Sequence, residues 1–212
     1  IQTKALSPDL PKWFGIGFVL LSIGLLFKIA AVPFHFWAPD VYEGSPTPFT
    51  AFMSTVVKTA AFAAFLRLFS TCFSEVSTWW SPILAIMAAL SMLVGSIMAL
   101  RQTSLKRLLA WSGVANAGYM LMAVVSLNEY SDTALVLYAA AYSIASIGVF
   151  TLVTNMTNAG NEEISSLHGF SKVNRFPALV ITVLMFSIAG IPPLAGFFGK
   201  YAIFAGTLKA GY

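Results

Sequence analysis

Three lysines stand where an apolar chain has little use for them. Lys28, Lys58 and Lys200 lie inside long hydrophobic segments, in the contexts GLLFKIAAVPFHFW, STVVKTAAFAAF and GIPPLAGFFGKYAIF. An ammonium group near the middle of a bilayer costs at least ~3 kcal/mol on insertion scales. A chain that carries three of them uses them, and a buried amine that gains and loses a proton is a natural part for moving protons across a membrane. The bland reading of a membrane lysine is snorkelling, in which the stem lies along lipid and the ammonium reaches the headgroups. That reading suits Lys12, Lys106, Lys172 and Lys209, which flank apolar segments. It fails for Lys58, which has about eleven residues on either side within its segment, roughly 15 Å of helix.

A second bland reading is a static ion pair between helices. The acids of the chain are Asp9, Asp40, Glu43, Glu75, Glu129, Asp132, Glu162 and Glu163, and the pattern puts all of them in loops. A carboxylate partner for Lys28 is therefore expected outside this sequence. In general, burial favours the neutral form of an amine and a nearby acid the charged form. A swing of ~2 pKa units is worth about 2.7 kcal/mol, and moving one charge against ~100 mV costs about 2.3 kcal/mol, so the magnitudes match. His35, in VPFHFW, is either a hydrogen-bonded structural residue or a proton relay beside Lys28. His168, in the polar SSLHGF stretch, reads as structural. Ser112, Asn116 and Tyr119, with Tyr138, Tyr142, Ser143 and Ser146, either line a hydrated path or bond helix to helix.

These residues need long helices to hold them. The chain of 212 residues is 58% hydrophobic and 9% charged, far more apolar than a soluble domain. Its net charge of +4 is no nucleic-acid footprint, because no basic run with interleaved aromatics is present and most Lys and Arg fall between apolar segments. One cysteine, Cys72, excludes an internal disulfide and a multi-cysteine metal or iron–sulfur site within this sequence. The chain opens on the polar IQTKALSPDLPK, without an initiator Met or a signal peptide, and closes at TLKAGY. It is expected to be part of a longer membrane protein.

Six apolar stretches are long enough to span a bilayer, at about 13–37, 48–69, 82–100, 108–127, 134–156 and 177–208. They lack the alternation of a barrel and are read as helices of one membrane domain over 1–212. The first meets Pro33 soon after Lys28. The last is longer than a bilayer needs and contains Gly190, Pro192, Pro193, Gly196 and Gly199. Both read as broken helices, and paired broken helices point to a transport site at a repeat interface. The loops around PDVYEG, RQTSLKR and NEEISSLHGFSKVNR share one side, and Arg101, Lys106, Arg107, Lys172 and Arg175 mark it as cytoplasmic. Trp13, Trp37, Trp79, Trp80 and Trp111 fall near segment ends, as in an aromatic belt. GFFGKY has the wrong spacing for a phosphate loop, and no dinucleotide, zinc-protease or dithiol motif is present.

The stretches GLLFKIAAVPFHFWAPDVYEGSPTPFTAFMSTVVKTAAF, RQTSLKRLLAWSGVANAGYMLMA and SIAGIPPLAGFFGKYAIF resemble the antiporter-like membrane subunits of NADH:quinone oxidoreductase, respiratory complex I. PDVYEGSPTP is similar to the subunit N branch in particular. The resemblance covers the whole chain. It implies an all-α polytopic fold of roughly fourteen helices in two inverted repeats, with this chain matching the seventh to the twelfth. By the same resemblance Lys28 belongs to a first half-channel, Lys58 links the halves, Lys200 lies near the exit, and a glutamate upstream pairs with Lys28. Many relatives carry histidine where this chain has Asn116.

The resemblance also implies proton translocation coupled to electron transfer from NADH to quinone, in a bacterial inner membrane. This chain would hold no cofactor. NADH, FMN, iron–sulfur clusters and quinone would belong to other subunits, and the partners would be subunits M, K, J and A. Two other readings are a sodium/proton antiporter subunit of the Mrp type and a structural membrane spacer.

Overall fold

In a computed structural model the described residues are 12–157 and 163–212. The opening segment with Lys4 and Asp9, and Glu162, lie outside them. Among the described residues every regular element is helical. Helix α1 is Lys12–Ile29, α2 is Trp37–Gly44 and α3 is Thr47–Thr71. Then come α4, Ser77–Ala99, α5, Leu105–Ser126, and α6, Glu129–Thr157. A one-turn helix, Phe170–Val173, precedes α7, Arg175–Ala189, and α8, Ala195–Lys209. Four stretches are long and apolar enough to cross a membrane: Thr47–Thr71, Ser74–Ala99, Leu105–Ser126 and Glu129–Asn155.

Both broken helices expected from Pro and Gly are present, and their breaks are built alike. Helix α1 ends where Ala30 turns left-handed (φ 59), with Ala31 N–H on the Leu26 carbonyl and Ala30 N–H on that of Phe27. Helix α7 ends at left-handed Gly190 (φ 87), with Ile191 N–H on Phe186 and Gly190 N–H on Ser187. This is the paired-bond cap that closes a helix at a left-handed residue. A proline follows three residues on in each case, Pro33 and Pro193, and the chain re-enters helix as α2 or α8.

The structure corrects two expectations. PDVYEG is not a loop but most of α2, because Pro39 sits in the first turn, where no backbone N–H is needed. Asp40 and Glu43 therefore stand one turn apart on a helix, and Arg107 of α5 binds both, at 3.2 and 2.6 Å. Glu129 and Asp132 likewise belong to the first turn of α6, where acids suit a helix start. Lys106 does not snorkel. It is buried, with its ammonium 3.4 Å from the Ser45 carbonyl.

Helix α5 is the centre of the packing and is buried on nearly all sides. It lies closest to α4, because Gly95 and Gly118 leave no room for a side chain against Ala115 and Ala88. Polar cross-links hold the ends. Thr103 accepts from Ile164 N–H at 2.8 Å, so the α4–α5 loop and the segment after α6 lie side by side. On the far side Asn128 reaches the Gly206 carbonyl at 3.0 Å, and Ser126 reaches Thr207 at 3.1 Å.

Candidate functional site

Lys58 follows a π-helical turn, Met53–Val57, inside α3. Such wide turns are rare and cluster at functional sites. Ser54 and Thr55 bond the Ala51 carbonyl and Thr50 that of Tyr42, while the Thr59 hydroxyl meets that of Ser143 in α6 at 3.2 Å. Lys58 itself is only 3% exposed, and its Nζ donates to the Gly113 carbonyl of α5 at 2.8 Å. The Tyr142 hydroxyl of α6 meets the same spot, since a Cβ on Gly113 would lie 3.2 Å from Lys58 Nζ and 3.3 Å from that oxygen.

One turn further along α5, buried Asn116 gives its amide to the Ser112 carbonyl and hydroxyl at 2.9 and 3.2 Å. Its oxygen accepts from the Tyr138 hydroxyl of α6 at 2.5 Å. Tyr119, the next residue on this face, presents its ring to Lys200 Nζ at 4.5 Å from the centroid, a cation–π contact. Lys200 also donates to the carbonyls of Ile188 and Ala189, at 2.9 and 3.0 Å. Those carbonyls end α7 and have no next turn to bond to, so the helix break supplies the ligands of the lysine beyond it. A cavity of about 190 Å³ beside Lys200 reaches Ser112 and Asn116. The larger groove between α3 and α6, about 810 Å³, is apolar apart from Thr55, Thr59, Ser143 and a few polar groups at its Arg67 end, and Lys58 does not line it.

Lys58 and Lys200 thus approach one helix, α5, with polar side chains between them. Lys28 does not join them. It lies on the exposed face of the last turn of α1. His35 lies between α1 and α2, its ring 5.3 Å from that of Trp111. Its buried Nδ1 lacks a well-formed hydrogen bond among the described residues. Sequence reasoning passed over Gly113 and the carbonyls of Ile188 and Ala189, because a backbone oxygen carries no residue signature. The Gly190–Pro193 break was the available signal for the second pair. No cluster of acids, histidines and cysteines fit to hold a metal occurs among the described residues.

The chain matches the family described as NADH:quinone oxidoreductase/Mrp antiporter, TM, over residues 11–212. It belongs to that family. Relatives within the family include "NADH-quinone oxidoreductase subunit N" of Flavobacterium johnsoniae, 44% identical over 100% of this chain and 47% of the relative. The protein of the same name from Cytophaga hutchinsonii is 46% identical over 98% of this chain and 45% of its own length. The chain spans about half the length of the curated relatives it matches. Among solved structures, respiratory complex I from Thermus thermophilus aligns with TM-score 0.80 and 39% identity, over 98% of this chain and 45% of that one. The Mrp complex from Dietzia sp. shares the fold at TM-score 0.85 and 24% identity, over 93% and 37%.

Proposed function

We propose that this chain is the part of subunit N of a bacterial NADH:quinone oxidoreductase through which protons cross the inner membrane. Protons pass among Lys58, Lys28 and Lys200 through water and polar side chains, with His35 beside the first break as a relay. The redox cofactors NADH, FMN, iron–sulfur clusters and quinone sit on other subunits, and subunits M, K, J and A are the neighbours. A carboxylate from outside this sequence faces Lys28. The observation that carries the reading is the pair Lys58 and Lys200, bound to carbonyls around one buried helix with Tyr142, Asn116 and Ser112 between them.

Substituting Lys58→Ala or Lys28→Ala in the assembled complex should lower the rate of proton pumping by about tenfold, the effect of about 1.4 kcal/mol on the barrier of a proton step. Unchanged pumping in both variants rejects the proposal. The family also contains Mrp antiporters, so the same vesicles should be tested with a sodium gradient and no NADH. Proton flux under that condition favours an antiporter instead.

A further inference from the structure

Helices α3 and α6 pack together over Thr47–Val57 and diverge after Lys58. The Thr59 hydroxyl still meets that of Ser143 at 3.2 Å. Beyond this contact the groove of about 810 Å³ opens toward Arg67 and Asp132. Its floor is Phe62, Leu135 and Ala139, all buried. The small side chains of Ala60, Ala63 and Ala140 leave the space above that floor unfilled.

The depth of the groove is that of one leaflet. From Asp132 to Ser143 helix α6 advances eleven residues, about 17 Å of helix, against roughly 15 Å for half of a hydrocarbon core. Exposed Tyr130 lies two residues before Asp132, and the ring of Trp80 packs on Phe69, two residues after Arg67. Aromatic side chains gather where a membrane meets water. A full transmembrane helix needs a trough along both leaflets, whereas the Thr59–Ser143 contact pinches this one midway along α3. A hydrocarbon chain reaching in from one leaflet meets no such obstacle.

The mouth carries charges of both signs. Arg67 is exposed and forms no ion pair with any described acid. Across the groove, Asp132 Oδ1 is buried and lacks a well-formed hydrogen bond among the described residues, which is costly until a donor arrives. Glu129, one turn back on α6, adds a second negative charge. The Ser70 and Thr71 hydroxyls already donate to the Arg67 carbonyl. One guanidinium beside two carboxylates does not favour a purely anionic headgroup. A headgroup with a phosphate for Arg67 and an N–H-bearing ammonium for Asp132 satisfies both sides with charge-assisted bonds. A quaternary ammonium has the charge but no hydrogen to donate.

We propose that the groove between α3 and α6 holds a phospholipid with a primary ammonium headgroup, of the phosphatidylethanolamine class. Its acyl chain lies on Phe62, Leu135 and Ala139, its phosphate at Arg67 and its ammonium at Asp132. The site stands whether or not protons pass along the lysines.

Photo-crosslinking tests this in the full-length protein with its natural partners, reconstituted in vesicles. A phosphatidylethanolamine with a diazirine in one acyl chain should label peptides covering 59–67 or 132–147. Unlabelled phosphatidylethanolamine should suppress that label severalfold better than phosphatidylcholine or phosphatidylglycerol with the same chains. Asp132→Asn should cut the advantage over phosphatidylcholine, and Arg67→Gln should weaken the labelling itself. Absence of label from the groove means that another helix fills it, and equal competition by the three lipids means bulk lipid only. Either result overturns the proposal, and a preference unmoved by both variants overturns the headgroup assignment. The competition series uses the unaltered protein, so it decides even where a variant fails to assemble.

Discussion

At the scale of single residues, the site is a set of amines held by backbone oxygens. Charged lysine has three donors, and Lys58 spends one on Gly113, which leaves the others to donate to water. The firmest side-chain bond nearby joins Tyr138 to Asn116, both almost fully buried. Tyr138→Phe leaves the Asn116 oxygen without that donor and should destabilise the assembled subunit by about 1–3 kcal/mol, read as a lower midpoint of thermal unfolding in detergent. An unchanged midpoint means that water takes the vacated place. The three lysines were legible in the sequence because an ammonium in an apolar run is costly wherever the run folds. Their partners were not legible. Gly113 is 55 residues from Lys58, and nothing in a glycine announces its carbonyl. Lys28 shows the limit from the other direction, since its context is as apolar as that of Lys58 and yet its side chain is exposed on this chain.

At the scale of elements, the two breaks share a cap but serve different ends. After α7 the re-entering helix returns Lys200 to the freed carbonyls. After α1 the re-entering helix is short and is tied by Asp40 and Glu43 to Arg107. Asp40 is three-quarters exposed, and exposed pairs are worth about 0–1 kcal/mol. Arg107→Ala should therefore leave global stability nearly intact while amide exchange in α2 speeds up by about fivefold, the equivalent of about 1 kcal/mol. Hydrogen–deuterium exchange of residues 37–44 measures this, and high salt should mimic it in the unaltered protein. Exchange that does not change removes Arg107 as the anchor. The breaks were legible from Pro33 and from Gly190 through Pro193. Helix α2 was not, because PDVYEG has turn-like composition and its stabilising cation lies more than sixty residues away.

At the scale of the whole molecule, the loops fall into two sets. The Thr103–Ile164 bond gathers the α4–α5 loop and the segment after α6 on one side, with Arg101, Lys106, Arg107, Lys172 and Arg175 near it. Cytoplasmic loops carry the excess of Lys and Arg. A reporter active only in the cytoplasm should therefore work when inserted at 101–104 or 163–174 of the full-length protein, and fail at 72–76. The reverse pattern would invert the chain in its membrane. The all-helical membrane architecture was legible from composition alone. The central place of α5 was not, because its polar residues (Ser112, Asn116, Tyr119) read equally well as a path lining or as helix-to-helix bonds. Both descriptions hold, since Asn116 bonds Tyr138 and also lines the cavity.

The π turn before Lys58 acts on angle rather than on distance. A wide turn of this kind inserts one residue into α3, and each residue of an ordinary α-helix advances the azimuth by about 100°. Without that residue, everything after Val57 would lie about 100° out of phase with the segment that Thr50 fastens to Tyr42. Lys58 would then sweep off the α5 side of its helix and leave Gly113 behind. The seat of Lys58 on Gly113 therefore turns on a phase offset of a single residue, as the timing of an engine turns on the angle at which one cam is keyed to its shaft.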